Sequence, residues 1–179
     1  PFPILFSFKC PAVSRFWAGP ISGDGSLGIG AAWIAAREFE PEGEIEGLTS
    51  VYLGTEISKG DIDAAIERHQ LQKSFRLIEN PNSEMVADLL EAGQVVARCS
   101  GRMEFGQRAL GNRSILADPR RTQSLERINQ KIKYRDFWMP FTPSMMVEES
   151  DRLIHNPKSV HSPYMTMAFD LKPEHRDLI

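Results

Sequence analysis

An α/β fold is what this sequence predicts, and three observations predict it. Short apolar stretches alternate with helix-like ones from Val51 to Phe169, the pattern of a sheet layered with helices. Cap and turn signals separate the stretches, chief among them Ser58 with Asp61, Gly93 after a helical run, and Asp118-Pro119. The 179 residues, 41% hydrophobic and 25% charged, suffice for one domain with a real core or one domain plus part of another.

In chain order, Ile4 to Phe8 has the composition of a strand, but Pro11 and Pro20 bracket a segment poorly suited to a central one. A glycine-rich turn then feeds an Ala-rich helix from about Gly28 to Arg37. The acidic stretch Glu38 to Glu46, with Pro41, Gly43 and Gly47, reads as a linker. It divides the chain into residues 1–47 and 48–179. Val51 to Leu53 is a short strand, and Ser58 with Asp61 forms a capping box that opens a helix to about His69. Phe75 to Ile78 is a second strand. A helix from about Ser83 ends at Gly93, the left-handed residue expected after a helix C-terminus. Gln94 to Cys99 is a buried strand, and Ser114 to Ala117 another. Asp118-Pro119 supplies an N-cap and a first-turn proline for a helix to about Ile132. Phe141 to Val147 and Tyr164 to Phe169 complete the strands, around a short helix from Glu149 to Ile154.

Charge is unevenly distributed. From Arg98 to Arg135 there are ten Lys/Arg against Glu104, Asp118 and Glu126, a balance of +7 in a chain of net charge −3, so the remainder carries −10. Cations so concentrated repel one another unless an anion or acidic partner neutralises them. No apolar run is long enough to cross a membrane and no signal segment opens the chain; the expectation is a cytoplasmic protein. Cys10 and Cys99 form no CxxC or Cys/His cluster, so neither a disulfide framework nor a zinc site is suggested. The first residue is Pro, and Ile179 ends a helix-like EHRDLI. Both suggest a piece of a longer polypeptide.

The densest chemistry is GRMEFGQRALGNRSILADPRR, Gly101 to Arg121, followed from Lys131 by KIKYRDFWMPFTP. Glycines at 101, 106 and 111 let backbone N–H groups approach an anion, while the guanidinium forks of Arg102, Arg108 and Arg113 suit phosphate or carboxylate oxygens. If Lys133-Tyr134-Arg135 is extended, alternation places Lys133 and Arg135 on one face. Glu104, the only acid in the Gly/Arg segment, orients an arginine or acts directly. Gly23, Gly25 and Gly28 match GxGxxG, with Glu44 further on. A dinucleotide site needs a clean strand before that motif, and PISGDG is not one.

The Gly101 to Arg121 block, the Asn129, Lys133, Arg135 arrangement and PFTPS closely resemble the C-terminal domain of the NodU/CmcH-type O-carbamoyltransferases. The resemblance runs from about Gly19 to Ile179 and is densest from Gly101 to Ser144. It implies a YrdC-like twisted mixed sheet flanked by helices for residues 48–179, incomplete at its C-terminus. For residues 1–47 it implies the C-terminal remnant of an actin-like ATPase domain plus linker. It also implies a function: binding of carbamoyl phosphate and ATP with Mg²⁺, formation of a carbamoyl-adenylate, and transfer to a hydroxyl-bearing small-molecule or sugar acceptor. Lys133 and Arg135 carry over as phosphate and carbamoyl binders, joined by Arg102 in the catalytic set. Arg108, Arg113, Ser114, Glu104 and Asn129 carry over as phosphate or nucleotide contacts. Asp24 corresponds to a ligand of the iron in the family's transfer domain, whose companion histidines are not in this chain, so the transfer step belongs to a missing part. Gln107 stands where the family often has proline, and Met139 where an arginine often precedes Pro-Phe. The competing reading is an RNA- or nucleotide-binding YrdC-like module without carbamoyl transfer. Against RNA stand the acidic chain and the lack of exposed aromatics interleaved with the cations.

Overall fold

The computed structural model describes residues 10–14, 18–45 and 47–178. The strand expected at Ile4 to Phe8 lies outside them. The chain is mixed α/β and divides into two compact units. Of the described residues, one comprises those up to Leu53 with Glu104–Leu110 and Ser144–Arg176; the other comprises Gly54–Met103, Gly111–Pro143 and Asp177 with Leu178. Among the described residues no helix is long and apolar enough to cross a membrane.

In the first unit, a 3-10 turn at Asp24–Ser26 runs into helix α1, Leu27–Phe39. The Ser26 hydroxyl donates to the Ile21 carbonyl at 2.5 Å, closing the glycine-rich turn on itself. Lys158 ties the start of the described chain down, its Nζ donating to the carbonyls of Cys10 and Val13 at 2.8 Å each. Glu104–Leu110 joins this unit through backbone and side chain alike: Phe105 N–H donates to the Val51 carbonyl, and the Tyr52 hydroxyl to the Leu110 carbonyl at 2.9 Å.

The second unit is built on an antiparallel ladder of β1, Val96–Cys99, and β2, Arg113–Leu116, in register Val96 with Leu116 and Cys99 with Arg113. Both strands were legible within two residues, but β1 is not buried as expected: Ala97, Arg98 and Cys99 are exposed. A third line of chain runs beside the loop that leaves β1: Gly54 N–H donates to the Met103 carbonyl, Met103 N–H to Thr55, and Ile57 N–H to Gly101. Glu56 forms an antiparallel bridge with Arg102. Helix α2, Lys59–Arg68, starts at the expected capping box: Ser58 Oγ accepts from Asp61 N–H, and the Asp61 carboxylate accepts from Ser58 N–H. Helix α3, Ser83–Glu91, is capped by Asn82. Gly93 follows at φ +78°, the left-handed end that was expected.

Several expectations need correction. Val51 to Leu53, Phe75 to Ile78, Phe141 to Val147 and Tyr164 to Phe169 pair as no strand. In place of one sheet layered with helices, the described residues hold two two-stranded antiparallel ladders. The second joins β3, Ile154–His155, to β4, Asp170–Leu171. Asp118 caps no helix: α4 begins at Thr122 with Arg121 at its N-cap position. The carboxylate of Asp118 is drawn instead to Arg120 and Arg121. Helix α4, Thr122–Arg127, continues as a π-helical turn through Ile132, reaching the expected end by a different backbone. Tyr134 has φ +48°, so Lys133-Tyr134-Arg135 is not extended and alternation does not align Lys133 with Arg135. The short helix expected from Glu149 is α5, Ser150–Leu153.

Candidate functional site

The Gly/Arg segment is the connection between β1 and β2. At its neck Ser100 N–H donates to the Asn112 carbonyl at 3.0 Å, carrying the ladder one residue past the strands. Arg113, first residue of β2, turns its guanidinium across that neck. Nη1 donates to the carbonyls of Ser100 at 2.8 Å and Asn112 at 3.0 Å, and Nη2 to Gly101 at 3.0 Å. Asn112 Nδ2 donates to the Arg102 carbonyl at 2.9 Å, and Ser114 Oγ accepts from Gly111 N–H at 2.9 Å. The positive φ of Gly101 and Gly111 is what lets the chain turn so tightly there. Arg102, through its carbonyl, and Arg113 and Ser114, through their side chains, thus take part in one hydrogen-bonded neck, with Arg113 bonded to three carbonyls that close the loop.

Glu104 and Arg108 lie on the Glu104–Leu110 segment of the first unit. Glu104 Oε1 accepts from Leu110 N–H at 2.8 Å, closing that segment into a loop on which Arg108 is exposed. Gly106, at φ +125°, passes Ile21 and the Pro20 carbonyl so closely that a Cβ would sit 3.4 and 3.5 Å from them.

The second cluster follows α4. Ile128 and Asn129 on the π turn are buried, Asn129 completely. Asn129 Nδ2 donates to the carbonyls of Phe137 and Met139, at 3.1 Å each. Its Oδ1 accepts from Arg135 Nε at 2.5 Å, and its carbonyl from Arg135 N–H at 3.0 Å. The Arg135 guanidinium also lies 4.2 Å from the Phe141 ring centroid and donates to the Pro140 carbonyl at 3.4 Å. Lys133 stands exposed beside this loop, its ammonium making no hydrogen bond or ion pair with a described residue. Tyr134, Phe137 and Trp138 are 84%, 71% and 64% exposed, so the expectation that aromatics are not interleaved with the cations was mistaken.

Part of the block's charge is satisfied within the protein. Asp118, whose side chain is 5% exposed, accepts from Arg120 Nη2 at 2.8 Å and lies 3.5 Å from Arg121 Nε. The hydrogen-bonded Arg120 guanidinium holds its carboxyl down at about 2, against the opposing effect of burial. Arg121 also donates to the Glu91 carbonyl at 2.6 Å, filling the space beside Gly93. With Arg113 and Arg135 engaged as well, Arg98, Arg108, Arg127, Lys131 and Lys133 are the cations of the island whose side chains make no hydrogen bond or ion pair with a described residue.

Asp24 is exposed in its 3-10 turn. Among the described residues no group of three or more His, Cys, Asp or Glu is arranged to hold a metal. These residues therefore do not fit an iron centre.

Residues 87–179, just over half of the chain, match the family described as the carbamoyltransferase C-terminus. The chain belongs to that family. An uncharacterized protein of Methanocaldococcus jannaschii is 35% identical over 173 residues, covering 95% of this chain and 28% of the relative. Nodulation protein NolNO of Sinorhizobium fredii is 32% identical, over 89% of this chain and 24% of its own length. The 3'-hydroxymethylcephem-O-carbamoyltransferase of Amycolatopsis lactamdurans is 31% identical, over 85% and 27%. The chain therefore spans about a quarter of the length of these relatives.

Proposed function

We propose that this carbamoyltransferase C-terminal domain activates the carbamoyl group for O-carbamoylation. It binds carbamoyl phosphate and ATP with Mg²⁺. Carbamoyl phosphate is hydrolysed to carbamate and inorganic phosphate. A carbamate oxygen then attacks the α-phosphorus of ATP, pyrophosphate leaves, and carbamoyl-adenylate forms. A hydroxyl acceptor takes the carbamoyl group, releasing AMP, at a site in a longer polypeptide. The YrdC-like fold for residues 48–179, the actin-like origin of residues 1–47 and a cytoplasmic location belong to the same reading. One observation carries it: the family match spans both clusters, including the unpartnered ammonium of Lys133 beside a loop pinned from within.

The chemistry brings several negative oxygens together, so the protein's contribution is neutralisation and alignment. Lys133 is assigned as the direct phosphate contact, with Arg102 supporting it. Arg113 and Ser114 shape the loop that carries Arg102. Mg²⁺ is held chiefly by the nucleotide phosphates.

The test is calorimetry of the complete protein with carbamoyl phosphate and with ATP, repeated on Lys133→Ala. Losing one charge-assisted hydrogen bond to an anion costs roughly 1.5–3 kcal/mol, so affinity should fall by about 10- to 100-fold. Unchanged affinity would remove Lys133 from the site. A second reading, single-stranded RNA binding, draws support from the exposed Tyr134, Phe137 and Trp138 near Lys131 and Lys133. It predicts tight RNA binding with a steep salt dependence.

A further inference from the structure

Asn129 is completely buried, yet it is polar, and a buried amide is tolerated only when its hydrogen bonds are made. They are made to one loop. Nδ2 supplies both of its donors to the carbonyls of Phe137 and Met139, and Oδ1 accepts from Arg135 Nε. Its backbone carbonyl takes the Arg135 N–H. A single residue therefore holds the chain that leaves the π turn at several points, across eight to ten positions of sequence for the two carbonyls. The loop needs such a hold because it contains Tyr134 at φ +48°, a region in which non-glycine residues are uncommon. Arg135 is the second strut: with Nε on Asn129 and its cation over Phe141, it braces the same loop.

We infer that Asn129 is a positioning residue of the anion site: it touches no ligand, and it fixes the loop of residues 133–141 so that the Lys133 ammonium is presented to the anion. Arg135 acts with it as a brace. The inference rests on the reading that Lys133 binds the anion. With both amide donors engaged and no surface exposed, Asn129 has nothing to offer a phosphate directly.

The test is a double-mutant cycle on the complete protein, with carbamoyl phosphate as the probe in calorimetry. Asn129→Ala should weaken binding by about tenfold, the scale of one lost productive contact. Adding it to Lys133→Ala should weaken binding no further. Tryptic cleavage after Lys133 and Arg135 should also accelerate as the loop is released. Arg135→Lys keeps the charge but loses the planar fork, and should behave like Asn129→Ala; it also covers the case in which that variant does not fold. Full affinity in Arg135→Lys, full affinity in Asn129→Ala while Lys133→Ala loses it, or fully additive losses would each overturn the positioning role alone. An inert Lys133→Ala would defeat the functional reading, and the positioning role with it.

Discussion

Asp118 illustrates how much a single side chain decides in this protein. It is buried among cations, and the Arg120 guanidinium holds its carboxyl at about 2 rather than the ordinary 3.8. A folded-state value below the unfolded one means that the group stabilises the fold above about pH 4. That contribution is lost as pH falls from about 4 towards 2. Asp118→Asn should therefore lower the melting temperature at pH 7, and the gap to the unsubstituted protein should close between pH 4 and pH 2. A gap independent of pH would show that the ion pairs contribute nothing. That Asp118 accepts hydrogen bonds locally was legible, since its place before Pro119 reads as an N-cap. Its partners were not, because an Asp-Pro pair fits a helix N-cap as readily as a turn, and only the later helix start at Thr122 separates them. Asn129 was even less legible. Its amide serves residues far along the chain, and no local periodicity marks that.

Several elements whose signals are local were legible almost to the residue. The Ser58/Asp61 capping box opens α2, Gly93 adopts its left-handed turn, and Gln94 to Cys99 contains β1. The strands that failed are those whose pairing depends on distant chain. Val51 to Leu53 is apolar enough for a strand, but the pairing that forms uses the next residues, Gly54 to Ile57, against residues 101–103. That line of chain supports the Gly/Arg loop, and its weak point is Gly54. A Cβ there would lie 2.6 Å from Met103 Cβ and 3.1 Å from the Met103 carbonyl. Neither atom is the far end of a flexible side chain, so the backbone must move. Gly54→Ala should lower unfolding stability by about 1–3 kcal/mol, the usual cost of overpacking, measured by urea denaturation. A neutral or stabilising result would mean that the close approach of Gly54 to Met103 is not maintained.

At the scale of the whole molecule, the acidic chain with a basic island resolves into two kinds of cation. Arg113, Arg120, Arg121 and Arg135 hold backbone and loops in place, while the side chains of Arg98, Arg108, Arg127, Lys131 and Lys133 make no hydrogen bond or ion pair with a described residue. Charge counting alone could not make that division, because it depends on which carbonyls and carboxylates the fold brings near. Helix α1 exposes apolar surface: Leu27, Ile34 and Phe39 are 68%, 65% and 85% exposed and no residue is buried. An Ala-rich helix without a covered face gains little from packing. Formation of carbamoyl-adenylate is the activity proposed for the domain. It is tested most directly by pyrophosphate exchange into ATP, catalysed by the complete protein. Exchange that requires carbamoyl phosphate and collapses in Lys133→Ala is the predicted result; no exchange, or exchange indifferent to carbamoyl phosphate, would contradict it.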